Sequence, residues 1–203
     1  MAAITPETII LASASPTRAH LLEAAGMGFA VDPANIDEGA IKRRAREAGQ
    51  LAITCALTLA AEKAGNVSAR HPEALVIGAD QLLVAKDKWF DKAASLAEAR
   101  EQLLALRGRT HVLATAVCVI RGGDLLWRAT SAPELMMRPF SDAFLDDYIA
   151  AEGEALLGSV GAYRLEGRGA QLFAWMTGDH FAVLGLPLFE LLEFLRSRGA
   201  ILS

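Results

Sequence analysis

Residues 74–80 read Ala-Leu-Val-Ile-Gly-Ala-Asp, a continuous apolar run that ends in a carboxylate. Such a run predicts a central strand that is buried on both faces, and we expect this strand to end at Asp80. A carboxylate at the carboxyl end of a buried strand faces the edge at which open α/β sheets bind ligands. Burial of the charge there is costly unless a metal, another cation or a proton compensates it, so Asp80 is a candidate functional residue.

A second strand followed by a helix is expected at the start of the chain. Residues 8–12 (Thr-Ile-Ile-Leu-Ala) form a mainly apolar run, Ser15 suits a helix N-cap and Pro16 suits the first helical position. The free backbone N–H groups and the dipole of a helix N-terminus favour an anion, and the side chains of Ser13, Ser15 and Arg18 would add donors. The alternative for this loop is an ordinary helix cap without a ligand.

The remaining elements alternate between helices and strands. The acidic pair Asp37 and Glu38 is expected in a loop, where it either shares a magnesium ion with substrate phosphates or is simply solvated. The other predicted elements are helices in residues 41–64 (broken near Gly49), 95–108, after Ser141 and after Pro187, a β-hairpin of residues 110–120 and 125–130, and an irregular or strand-like stretch in residues 158–178. We therefore predict the α/β class, with a mixed central sheet flanked by helices in one domain of residues 1–203.

Composition excludes several classes of protein. A chain of 203 residues with 53% hydrophobic residues is long and apolar enough to bury a core, and its formal net charge of -4 lacks the broad positive field of a protein that coats nucleic-acid polymers. The longest uncharged run, residues 48–61, is too short for a membrane span of about 20 residues. Cys55 and Cys118 have no metal-ligand spacing and are expected as buried thiols. These features predict a cytoplasmic protein without a membrane partner.

Eight segments carry motifs in a fixed order along nearly the whole chain. They are residues 12–18 (ASASPTR), 37–38 (DE), 60–64 (AAEKA), 76–81 (VIGADQ), Lys92, 106–112 (LRGRTHV), 161–173 (GAYRLEGRGAQLF) and 178–188 (GDHFAVLGLPL). Together they resemble the motifs ASxSPRR, DE, AxxKA, VIGADT, the lysine of GKP, LxGRxHxV, GAYxIxGxGAxxF and GDYxNVxGLPL of the Maf family of nucleoside triphosphate pyrophosphatases. The order and spacing of eight motifs favour this family over an unrelated phosphate-binding domain.

The resemblance implies a fold of two lobes around a long cleft, usually dimeric, and an enzyme that hydrolyses a nucleoside triphosphate to the monophosphate and diphosphate with Mg²⁺ or Mn²⁺. A nucleotide-binding regulator of cell division without turnover is the alternative from another class. The implied site residues are Asp80, which orients or deprotonates the attacking water or only ligates the metal; Glu38, its partner at the metal; Ser13, Ser15 and Arg18, which cradle the phosphates; and Lys63 and Lys92, which neutralise them.

Three departures from the motifs concern the base of the nucleotide. Thr17 replaces the first arginine of SPRR, Gln81 replaces the threonine of GADT, and Glu166 replaces the glutamine of GIQG. At positions 81 and 166 the chain resembles the branch of the family that acts on 7-methyl-GTP. Hydrolysis of dTTP or UTP is the alternative within the family. A carboxylate can accept hydrogen bonds from two N–H groups on the edge of guanine, which favours 7-methyl-GTP over dTTP and UTP.

Two further departures concern the phosphate side of the site. Gly158 and Ser159 stand where the family has Asp-Lys, so one expected lysine is missing, and Ala182 stands where the family has Asn. We still expect hydrolysis.

Overall fold

A computed structural model of the chain describes residues 7–202. Its α-helices are α1 (Pro16–Ala24), α2 (Glu38–Glu47), α3 (Ala52–Ser68), α4 (Leu96–Leu106), α5 (Asp142–Glu152), α6 (His180–Val183) and α7 (Leu188–Ser197). Its strands are β1 (Ile9–Leu11), β2 (Ala30–Val31), β3 (Leu75–Ala85), β4 (Lys88–Phe90), β5 (Thr110–Arg121), β6 (Asp124–Ser131), β7 (Glu134–Met137) and β8 (Phe173–Thr177). None of the helices in residues 7–202 is long and apolar enough to span a membrane.

The eight strands form a mixed sheet. Its main path is β2-β1-β3-β5-β7-β8, with β4 paired to β3 and β6 paired to β5. β1 lies parallel to both β2 and β3, with Ile10 opposite Val76 in the second pair. The pairs β3–β4, β5–β6, β5–β7 and β7–β8 are antiparallel. The predicted α/β class with a mixed central sheet and flanking helices is confirmed.

The chain divides into two compact units, and β3 and β5 each supply residues to both. The first unit comprises the residues up to Asp80, Thr115–Ser131 and those from Asp179 onward. Within it, Leu75, Ile77 and Ala79 of β3 belong to a core that includes Leu22 of α1 and Leu191 of α7. Because strand side chains alternate, Val76, Gly78 and Asp80 face the opposite side, where α3 packs.

The second unit comprises Gln81–Ala114 and Ala132–Gly178. It contains β4, β7 and β8, helices α4 and α5, and two short 3₁₀ turns, Gly153–Gly158 and Arg168–Leu172. The side chain of His111 is buried here against Tyr163 and Phe173, and its Nε2 lies 2.9 Å from the hydroxyl of Tyr163. Burial lowers the pKa of His111 to about 4, so the ring is neutral at neutral pH.

Two local predictions are wrong. β3 does not end at Asp80 but continues to Ala85. Lys63 of α3 lies 2.8 Å from the Asp80 carboxylate and compensates its charge in the middle of the strand. Glu38 is not in a loop: Asp37 caps α2 by accepting a hydrogen bond from the backbone N–H of Ala40 at 2.8 Å, and Glu38 is the first residue of the helix. An acidic residue in the first turn is favoured by the helix dipole.

Candidate active site

The centre of the candidate site is an ion-paired cluster in the first unit. Nζ of Lys63 lies 2.8 Å from Oδ1 of Asp80 and 2.8 Å from Oε1 of Glu38. The Lys63 and Asp80 side chains are only 10% and 9% exposed, whereas that of Glu38 is 43% exposed. Lys63, which the resemblance assigns to the phosphates, thus links the two carboxylates by two of its three N–H donors.

Gly78 lets α3 approach β3 closely enough to form this cluster. A Cβ atom at position 78 would collide with the carbonyl oxygen of Ala60 and would lie 2.8 Å from Cβ of Ala64. Ala60, Lys63 and Ala64 lie on the same face of α3 because residues three and four apart are neighbours on a helix. The missing side chain of Gly78 therefore allows Lys63 to reach Asp80, which lies two residues farther along the same face of β3.

The second carboxylate oxygen of Asp80 is buried and has no hydrogen-bond partner among residues 7–202. An unpaired carboxylate oxygen in the protein interior is costly, and a bound ion, a water or a catalytic role can account for it. Oδ2 of Asp80 can accept a proton from water or bind a hard cation.

The first turn of α1 contributes a second, buried cation, Arg18. Nη1 of Arg18 donates hydrogen bonds to the hydroxyl of Ser13 at 3.1 Å and to the carbonyl of Ala79 at 2.9 Å, and Nε donates to the carbonyl of Gly185 at 2.8 Å. Burial lowers the pKa of Arg18, and the negative charges of Asp80 and Glu38 oppose that shift. Ser15 caps α1 by accepting a hydrogen bond from the Arg18 backbone N–H at 3.4 Å, as predicted.

Asp80 and Glu38 are the two carboxylates of the cluster that could hold a divalent cation such as Mg²⁺. Mg²⁺ in phosphoryl-transfer sites is usually bound by one or two protein carboxylates together with substrate phosphates. No group of three or more His, Cys, Asp or Glu side chains that could hold a metal occurs within the described part of the chain. A cation here would thus be bound by Asp80 and Glu38, and oxygens of water or of a ligand would complete its coordination.

The other candidate residues lie at separate places in the fold. Thr17 is a half-buried residue in the first turn of α1. Three candidates belong to the second unit: Gln81, half-buried on β3; Lys92, exposed and paired in a β-bridge with Val160; and Glu166, exposed, with its Oε1 3.5 Å from Nε of Arg164.

The structure also shows where the two departures from the family motifs on the phosphate side, Gly158-Ser159 and Ala182, lie in the fold. Ser159 follows the 3₁₀ turn Gly153–Gly158, and its N–H donates to the carbonyl of Leu156 at 3.3 Å. Ala182 lies in α6, where its N–H donates to Asp179 at 3.0 Å and its carbonyl accepts a hydrogen bond from the Thr115 hydroxyl at 3.0 Å. A methyl group at position 182 leaves these backbone contacts intact.

Two residues that sequence reasoning did not single out position the site. Gly78 allows the approach of α3, and Gly185 presents its carbonyl to Arg18 from a backbone with φ of +99°, a conformation that favours glycine. Both glycines lie within the family motifs, so the signal was present, but their spatial neighbours Ala60 and Arg18 are distant in sequence.

Comparison with known proteins identifies the family. A family model described as "Maf-like protein" matches residues 8–198. A nucleoside triphosphate pyrophosphatase of Rhodospirillum rubrum is 49% identical over 203 residues, covering 100% of both chains. Another from Granulibacter bethesdensis is 51% identical over 193 residues, which are 95% of this chain and 98% of that protein. A 7-methyl-GTP pyrophosphatase of Rhizobium etli is 46% identical over 198 residues, 98% of this chain and 99% of that protein. The chain belongs to the Maf family.

Proposed function

We propose that the protein is a nucleoside triphosphate pyrophosphatase, a hydrolase that converts a nucleoside triphosphate and water into the monophosphate and diphosphate. The observation that carries the proposal is the buried Asp80 carboxylate, with Oδ1 paired to Lys63 and Oδ2 without a partner among residues 7–202. The full-length relatives that carry the name nucleoside triphosphate pyrophosphatase support it.

The charge of the cluster indicates how a triphosphate would bind. Arg18 and Lys63 carry two positive charges, and Asp80 and Glu38 carry two negative charges, so the cluster is formally neutral. A triphosphate brings several negative charges, which a neutral cluster does not compensate. A divalent cation, Mg²⁺ or Mn²⁺, held by Asp80 and Glu38 would supply the missing positive charge and polarise the phosphoryl oxygens.

Other groups of the chain would bind the phosphates, orient the carboxylates and activate the water. Arg18 is held by Ser13 and two backbone carbonyls, which leaves Nη2 of its guanidinium to donate to a phosphate oxygen. Lys63 fixes the orientation of Asp80 and Glu38 through its two short contacts. Oδ2 of Asp80 orients the attacking water and accepts its proton as the water oxygen bonds to the α-phosphorus and the bond to diphosphate breaks. Ser15 at the helix N-terminus and Lys92 are further candidate contacts for the phosphates.

We further propose that the base is guanine or a derivative such as 7-methylguanine. Glu166 offers a carboxylate to the two N–H donors on the guanine edge, and Nε of Arg164 lies 3.5 Å from one of its oxygens. Gln81 and Thr17 are the other two positions proposed to select the base.

A cytoplasmic location, where free nucleotides occur, and a homodimer complete the proposal. Light scattering of the purified protein tests the dimer.

A panel of triphosphates tests the reaction. Purified protein is incubated with GTP, 7-methyl-GTP, dTTP, UTP or CTP, with Mg²⁺, with Mn²⁺ or with a chelator, and the release of diphosphate is measured. We expect metal-dependent release, which Asp80→Asn lowers by about two to four orders of magnitude. Asp87→Asn, in an exposed turn, is the matched control and should retain the wild-type rate. Absence of diphosphate release from every nucleotide would refute the proposed function.

A further inference from the structure

A hydrogen-bonded cluster outside the ion-paired centre joins the segment between β2 and α2 to the end of α3. We call it the Arg70 clamp; it consists of Asp32, Asn66, Arg70 and His71. Arg70 binds Asp32 with both sides of its guanidinium, Nη2 to Oδ1 at 2.8 Å and Nε to Oδ2 at 3.2 Å. Nε2 of His71 lies 2.8 Å from Oδ2 of the same carboxylate. The hydrogen bond from Arg70, and next that from His71, lower the pKa of Asp32 and keep it ionised.

The same guanidinium also fixes the neighbouring backbone. Nη1 of Arg70 donates to Oδ1 of Asn66 at 3.0 Å and to its carbonyl at 3.3 Å, and Nη2 donates to the carbonyl of Pro33 at 3.3 Å. Oδ1 of Asn66 accepts a further hydrogen bond from the backbone N–H of Asn35 at 3.1 Å. Residues 32–35 are thus tied to α3 through a planar fork whose nitrogens are all engaged, a geometry that a lysine cannot reproduce.

Both ends of the clamp lead to the candidate active site. Asn66 lies in the last turn of α3, three residues beyond Lys63, and Arg70 follows in the turn directly after the helix. Residues 32–37 form neither helix nor strand and lead directly to Glu38 at the start of α2. The path of this irregular segment therefore depends on its contacts with α3, and that path determines whether Glu38 reaches Lys63 at 2.8 Å.

We propose that Arg70 is a positioning residue for Glu38, which holds the carboxylate at the cation site formed with Asp80. This inference rests on the proposed function, since it takes Glu38 as a cation ligand. Removal of a residue that orients a metal ligand typically weakens metal affinity or activity about 10- to 100-fold. An exposed ion pair that orients no ligand contributes little to metal affinity or activity. A positioning role and an ordinary surface ion pair therefore predict different results when Arg70 is replaced.

The test measures cation binding without nucleotide as well as turnover. Mn²⁺ is titrated into the nucleotide-free protein and free Mn²⁺ is followed by electron paramagnetic resonance. Diphosphate release gives kcat and the Mn²⁺ dependence, and thermal unfolding reports stability. The variants are Arg70→Met, Arg70→Lys, Asp32→Asn and Glu38→Gln. The matched control is Arg121→Met, which removes another half-exposed arginine that forms a 2.8 Å ion pair, with Glu7.

We expect Arg70→Met and Asp32→Asn to weaken Mn²⁺ binding about 10-fold and to lower kcat. Glu38→Gln should also weaken Mn²⁺ binding. Their unfolding temperature should match that of Arg121→Met, and Arg70→Lys should recover only part of the affinity. Wild-type Mn²⁺ affinity in folded Arg70→Met, together with weakened binding in Glu38→Gln, would overturn the role of the clamp alone. Unchanged binding in Glu38→Gln would overturn the cation site and, with it, the role of the clamp. Failure of the proposed reaction is recognised separately, because the wild type would then bind Mn²⁺ without releasing diphosphate.

Discussion

The substitution Gly78→Ala tests whether the candidate active site depends on the close approach of α3 to β3. The added Cβ would collide with the carbonyl oxygen of Ala60 and lie 2.8 Å from Cβ of Ala64. Carbon atoms in contact prefer a separation of about 3.5–4.0 Å, so α3 has to move outward by roughly 1 Å. Because the clash involves the helix backbone, no side-chain rotation relieves it.

The displacement has two measurable effects. Overpacking of this kind lowers the free energy of unfolding by about 1–3 kcal/mol. Lys63 moves with α3 and loses its 2.8 Å contact with Oδ1 of Asp80, and a misplacement of about 1 Å at a catalytic group can lower the rate about 100-fold. We therefore expect a folded, moderately destabilised variant whose kcat for diphosphate release falls by roughly two orders of magnitude.

Gly65→Ala is the matched control because Gly65 lies on the same helix, and a Cβ added there would meet no described atom within 4 Å apart from its own chain neighbours and the nearby backbone of α3. Alanine at this site should raise the free energy of unfolding by about 0.5–1 kcal/mol and leave the rate unchanged. Urea unfolding and initial rates are measured for both variants in parallel. If Gly78→Ala equals Gly65→Ala in both stability and rate, the reasoning that links the helix approach to the site is refuted.

Two further predictions concern the second unit. The pKa of His111 is about 4 in the folded protein and about 6.5 when exposed, so between these values the unfolded chain binds a proton that the folded chain does not. Stability should therefore fall as the pH drops from about 6.5 to about 4, by about 3 kcal/mol for this group. His111→Gln should show a correspondingly shallower decline in urea unfolding, and equal slopes would contradict this assignment. Glu166→Gln should lower kcat/KM for GTP and 7-methyl-GTP by about 10-fold or more relative to UTP, because the amide accepts fewer N–H donors; an unchanged ratio in the nucleotide panel would remove Glu166 from base selection.

Local sequence signals were sufficient for elements whose ends are chemically marked. Ser15 and Pro16 placed the start of α1, and Ser95 and Ser141 placed the starts of α4 and α5. Residues 110–120 and 125–130, predicted as a hairpin, form β5 and β6, which are joined across Gly122-Gly123. In each case the signal is an N-cap hydroxyl or a turn glycine that acts within a few residues of its own position.

The errors arose where a distant residue decides the local structure. Asp80 looked like the end of a strand because a carboxylate is unfavourable inside a sheet, but Lys63 of α3 compensates it and β3 continues to Ala85. β7 was not predicted because its four residues, Glu134–Met137, are stabilised by pairing with β5 and β8 rather than by a local pattern. Sequence motifs named Lys63, Asp80 and Glu38 separately; that one ammonium group joins the two carboxylates is visible only in three dimensions.

The three hydrogen bonds of Arg18 have a consequence for the entropy of nucleotide binding. A long, flexible side chain that is ordered only when a ligand arrives costs about 0.5–1.5 kcal/mol of binding free energy. Arg18 is already immobilised by Ser13, Ala79 and Gly185, so that loss of rotamer freedom occurs when the chain folds. A nucleotide would then meet a guanidinium that is already oriented, and its phosphates would not have to order it.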